Sequence, residues 1–189
     1  MKFRLIYRGD LKSNGNPAHK HEIRKVFHRQ LLNLWEDYPL SEVRKHINID
    51  PDKGDSLGIS RGGFKFIPLI SPRLELVASL EILLLRPESA GSVLTQAGDI
   101  DNRLKTLMDA LQVPKDDQIP KDVVPQLDEA FLYCLLEDDN LITSLDISTS
   151  KLYDTVSSSN EVLLVINVTA DFTHGYFTNM LVPPTLSPR

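Results

Sequence analysis

Apolar residues recur along the chain in several rhythms, and each rhythm predicts its own element. Over residues 2–8, Phe3, Leu5 and Tyr7 alternate with charged residues, the period of a strand with one buried face. Gly9, Asn14, Gly15, Asn16 and Pro17 then break it. Over 18–35 the apolar positions Ile23, Val26, Phe27, Leu31 and Leu34 return every three or four residues, with Lys, Arg and His opposite, which predicts an amphipathic helix. Residues 37–63 mix Pro, Asp, Gly and Ser and read as a long loop insertion with a helical turn around 41–46. Two strands, 64–70 and 74–85, flank a turn at Ser71-Pro72-Arg73. A second helix opens at Gly98-Asp99, carries a stripe of Leu104, Leu107, Met108 and Leu111, and ends at Pro114. Residues 115–129 read as an acidic surface excursion, and strands at 131–136, 141–148 and 162–168 follow. This order predicts a single α+β domain over 1–182, with a mixed sheet and two main helices, and a flexible Pro-rich tail over 183–189.

Composition narrows the class. At 189 residues the chain can bury one sizeable core. A single cysteine, Cys134, in an apolar strand reads as a small core hydrophobe and excludes a disulfide scaffold. No charged-then-apolar leader follows Met1, and the most apolar run, 74–85, carries Glu75 and Glu81 and is far short of the roughly 20 residues needed to cross a bilayer. A soluble, cytoplasmic protein without a membrane partner is expected.

The net charge of −5 hides an asymmetry. Residues 1–86 hold 15 Lys and Arg against 10 Asp and Glu, and residues 87–189 hold 6 against 16. The first part is either a basic footprint or a solvated face that balances acids elsewhere. His19 and His21, at a basic helix start without zinc-type neighbours, read as surface residues.

The chemistry concentrates in Gly98-Asp99-Ile100-Asp101-Asn102-Arg103-Leu104-Lys105 and the residues that follow through Asp109-Ala110-Leu111. Asp99 and Asp101 can converge if Asp99 caps the helix and Asp101 lies in its first turn, where free backbone N–H groups ease the approach of two carboxylates. Asp101, Lys105 and Asp109 follow at four-residue steps as a polar stripe. Ordinary helix chemistry is the alternative, with Asp99 as a cap and Asp101 paired to Lys105. Hard oxygen donors suit Mg²⁺, and Glu137-Asp138-Asp139 at a strand junction supplies a further acid.

The run Asp99-x-Asp101-Asn102-x-x-Lys105-x-x-x-Asp109-Ala110-Leu111 resembles the signature helix of the RusA family of Holliday-junction resolvases. Asp138-Asp139-Asn140-Leu141-Ile142 is similar to that family's later acidic pair, since an aliphatic strand follows it. A second doublet, Asp116-Asp117-Gln118-Ile119, matches the pair more literally, but Pro120 follows it and no strand does. The resemblance implies a RusA-like fold and a homodimeric, Mg²⁺-dependent endonuclease, with Mn²⁺ as a substitute, that cuts branched DNA in recombination and repair. In that reading Asp99, Asp101, Asp138 and Asp139 hold the metal, Asp99, Asp101, Lys105 and Asp139 are catalytic, and Arg24, Lys25, Arg29, Arg61 and Lys65 contact DNA. The alternatives are a catalytically inactive DNA-binding or assembly protein on the same fold, and an unrelated α+β module.

Overall fold

The computed structural model describes residues 1–87, 97–121, 123–125 and 129–174, with the side chains of 97–99 excepted. The expected tail at 183–189 lies outside the described residues. Seven strands and three α-helices build one α+β unit with two sheets. No described helix is long and apolar enough to cross a membrane.

The larger sheet runs β1-β7-β4-β6 and is formed by β1 (Lys2–Asp10), β4 (Leu76–Arg86), β6 (Ile142–Lys151) and β7 (Glu161–Phe172). β7 is antiparallel to both β1 and β4, while β4 and β6 are parallel. Strict alternation in β4 buries Leu76, Ala78, Leu80, Ile82 and Leu84 on one face, and β7 does the same with Val162, Leu164, Ile166, Val168 and Ala170. The smaller sheet has the order β2 (Ile59–Arg61), β3 (Phe64–Ile70), β5 (Leu132–Leu136). Every residue of β5 is buried, so its pattern is a continuous apolar run rather than an alternation.

α1 (Pro17–Glu36) starts where Asn16 accepts the His19 amide proton at 2.9 Å and Pro17 supplies a preset φ. Its buried side carries Ile23, Phe27, Leu31 and Trp35 but also His21, Arg24 and His28. His28 Nδ1 accepts the Tyr133 amide at 3.0 Å, which ties α1 to β5. Gln30 reaches the opposite way. Its side-chain amide accepts from Ile6 N at 2.9 Å and donates to Ile6 O at 2.7 Å, closing the outer edge of β1 at that residue.

Two expectations are corrected. The 37–63 stretch is not loop throughout: besides the expected helical turn, which is α2 (Leu40–Lys45), it holds a 3₁₀ turn at Pro51–Lys53 and β2. Leu40, Val43 and Leu57 are buried in the main core, and that burial orders the segment. His21 is 2% exposed and packs on Phe64, with ring centroids 5.1 Å apart, so it is a core residue and not a surface one. Cys134 is buried as expected, and burial pushes its thiol up to about 12.

Burial, and then the neighbouring Arg24 charge, holds the His21 pKa below its ordinary 6.5. The unfolded chain therefore takes up a proton near pH 6.5 that the native state refuses, and stability falls as pH drops below that value, by about 1.4 kcal/mol per unit of displacement. Tm measured from pH 8 to 5 is expected to fall more steeply for wild type than for His21→Leu. Parallel curves would contradict this origin.

Candidate functional site

α3 (Ala97–Leu111) carries the acidic motif. Because the helix starts at Ala97, Asp99 stands inside its first turn rather than ahead of it as a cap, and the convergence of a cap with a first-turn residue is not the arrangement found. The Asp99 side chain lies outside the described residues.

Asp101 and Lys105 are exposed, and no ion pair joins them. Asp109, the third member of the expected stripe, turns inward and is 7% exposed. Lys20 of α1 donates to its Oδ2 at 2.7 Å, and Gln112 Nε2 donates to its Oδ1 at 3.3 Å. Asp109 is thus a structural residue that locks α1 to α3.

Gln112 is the member that sequence reasoning missed. It stands seven residues after Lys105 and eleven after Asp101, within about 20° of both around the helix axis. Its Oε1 accepts the Asp139 amide at 3.0 Å. This bond fastens the turn Asp139–Leu141 to the C-terminal end of α3, about 16 Å along the helix axis from Asp101 and about 10 Å from Lys105. Val113 N, which donates to Leu136 O at 3.0 Å, holds the helix end to β5 beside it. Asp138 caps the turn by accepting the Asn140 amide at 3.0 Å, and Ser71 Oγ fixes Glu137 at 2.6 Å. The signal available in the sequence was a polar residue on the Asp101–Lys105 line just before Pro114.

The other doublet lies elsewhere. Asp117 lines a shallow groove with Asn16, Pro17 and Ala18 at the start of α1. That segment meets α3 through Thr106, whose Oγ1 accepts from Gly15 N at 2.9 Å. Thr106 is one residue, hence about 100°, around the axis from Lys105. The Asp139 turn is thus tied to the C-terminal end of α3, whereas Asp117 lies beside the start of α1.

Exposed carboxylate oxygens at Asp101 and Asp139, neither in an ion pair among the described residues, are donors of the kind that Mg²⁺ takes. No three His, Cys, Asp or Glu side chains gather as a metal group among the described residues.

The expected DNA contacts are largely engaged within the fold. Arg24 is 1% exposed, so it is corrected from a DNA contact to a core residue. Its Nη2 donates to Asp109 O at 2.8 Å, a carbonyl in the last turn of α3 whose helical partner, Val113 N, has gone to β5. Nε and Nη1 of Arg24 have no partner, and burial lowers its pKa. Lys25 pairs with Glu22 at 2.8 Å and with Glu129 at 3.6 Å. Lys65 pairs with Asp52 at 2.6 Å and Asp50 at 2.9 Å, and those carboxylates hold its pKa above the ordinary value. Arg61 donates to Pro114 O at 2.9 Å. Arg29 remains exposed.

Arg24 and Arg29 look alike in sequence but should differ in urea melts. Arg24→Gln is expected to lower stability by about 1–3 kcal/mol through the lost cap and repacked core, and Arg29→Gln to stay within about 0.5 kcal/mol of wild type. Equal effects would contradict the burial of Arg24. No family model matches the chain, and no curated protein or solved structure matches it either.

Proposed function

We propose that this protein is a metal-dependent endonuclease of the RusA type that acts as a homodimer on branched DNA such as a four-way junction. The observation that carries the reading is the Gln112–Asp139 hydrogen bond. It ties the strand-junction turn that carries Asp139 to the C-terminal end of the helix that presents Asp101 and Lys105. Asp101 and Asp139, with Asp99 and Asp138, would hold Mg²⁺ or Mn²⁺, which when bound activates water and neutralises charge at the scissile phosphate.

The chain's own residues have separate tasks in this reading. The Lys105 ammonium, exposed on the same face, positions the phosphate and offsets its developing negative charge. Gln112 and Asp138 fix the backbone of the Asp139 turn from both sides, which keeps the carboxylate in place at little entropic cost. Lys12 is exposed next to Leu11, whose carbonyl accepts from Arg103 of α3 at 3.0 Å, so it is a cation within reach of the same helix. A four-way junction has near two-fold symmetry and needs two matched cuts, which a two-fold dimer with one site per subunit supplies.

Cleavage of a labelled four-way junction with and without Mg²⁺ tests the reading. Asp101→Asn and Asp139→Asn are each expected to lower the rate at least about a hundredfold with circular dichroism unchanged. Cleavage by Asp101→Asn at the wild-type rate would overturn the assignment. Binding without cleavage by wild type would favour a catalytically inactive DNA-binding protein.

Lys12→Gln is expected to weaken binding and to reduce the slope of log affinity against log salt by about one. Junction titrations over a salt series read it, and an unaltered slope would move the DNA path away from this loop.

A further inference from the structure

The larger sheet buries one face against the helices and leaves the other uncovered among the described residues. On the uncovered face its four strands lay side chains in rows. Arg4, Asn167, Glu81 and Asp146 form one row, Ile6, Val165, Leu83 and Ser148 the next, and Arg8, Leu163, Leu85 and Ser150 a third. Ile6 is 52% exposed and Leu83 36%, with Val165, Leu163 and Leu85 half-buried around them. The centre is therefore apolar and the flanks are polar, the layout of a docking surface. Charge runs one way across it. Lys2 and Arg4 stand on β1, while Glu81 on β4 and Asp146 on β6 stand towards the other edge. Arg4 Nε donates to Asn167 Oδ1 at 2.7 Å, whereas Arg8 is already held by Asp154 and Glu161.

We propose that this face docks a second copy of the chain by sheet-on-sheet packing about a two-fold axis parallel to the strands. The proposal rests on the preceding reading for the expectation of a homodimer, although the face owes nothing to the acids of α3. Such an axis, passing between β7 and β4, lays β1 over β6 of the second copy and β7 over its β4, with the rows unchanged. Val165 then faces Leu83 of the second copy, Leu163 faces Leu85, Asn167 faces Glu81, and Arg4 faces Asp146. Every one of these contacts occurs twice, as an isologous interface requires. A two-fold axis running across the strands would stack β1 on β1 and β6 on β6 and bring like charges together, so the charge gradient selects the first orientation. The near-aligned strand directions are those in which two twisted sheets pack well.

Sedimentation of the full chain without DNA tests this. Wild type is expected to be a dimer at tens of micromolar, and Leu83→Glu a monomer with unchanged circular dichroism and Tm, because Leu83 already borders solvent. Arg4→Asp and Asp146→Arg should each raise the dimer Kd at least about tenfold, and the double variant should restore it. A monomeric wild type, a dimeric Leu83→Glu protein, or a double variant no tighter than the single ones would overturn the proposal. Because Asp101→Asn leaves this face untouched, a monomeric wild type that cuts junctions overturns the surface and the homodimer but not the nuclease, and a dimer that never cuts overturns the nuclease alone.

Discussion

Asp109 is the point on which the two long helices close. Its carboxylate takes the Lys20 ammonium and the Gln112 amide, and its carbonyl takes the Arg24 guanidinium, so one residue of α3 engages two cations of α1. The cations lie at the C-terminal end of α3, where the helix dipole is negative and the last carbonyls lack helical partners. The amide that would ordinarily satisfy Asp109 O belongs to Val113, and it has been given to β5. Burial of Arg24 is a consequence: a helix end that lends its amide to a neighbouring strand needs a donor from elsewhere. From this junction Gln112 reaches the Asp139 turn, so the packing of α1 on α3 and the backbone of the turn that precedes β6 are linked by one polar chain.

The charge asymmetry along the sequence has the same root. Lys45, Lys53, Lys65 and Arg73 pair with acids of their own half, while Lys20 meets Asp109, Lys25 meets Glu129, and Arg8 meets Asp154 and Glu161 from the second half. The latter pairs join segments distant in sequence and near in space. What reads as a basic footprint in the linear chain is in good part internal neutralisation, and a surface for phosphate is left to the cations that find no acid.

Elements with a clean period were legible from the sequence. β1, β3, β4 and both long helices follow from alternation or from three- and four-residue spacing, because local burial dictates those patterns. In the 37–63 region only the helical turn was legible, since Leu40, Val43 and Leu57 are too sparse to make a longer period and are ordered by the core they fill. At the candidate site the motif singled out Asp101 and Lys105, which the fold leaves exposed, and the Asp138-Asp139 junction, which it ties to the end of α3. Asp109 was misplaced, because a four-residue step fixes a side of the helix but not which neighbour packs there. Arg24 was misread by residue type: its position, three, four, seven and eleven residues before Phe27, His28, Leu31 and Trp35, lies on the buried stripe. Gln112 could not be given its role without the fold, since its partner Asp139 is 27 residues away.

The clasp of Gln30 on Ile6 has a consequence for how such sheets associate. Head-to-tail growth of a sheet from copy to copy requires two free edges, one to donate and one to receive. Here the β1 edge is occupied at mid-strand by a side-chain amide that uses both the N–H and the C=O of Ile6. At Ile6 that edge therefore offers neither group to an incoming strand, and edge-to-edge approach of another copy is obstructed there.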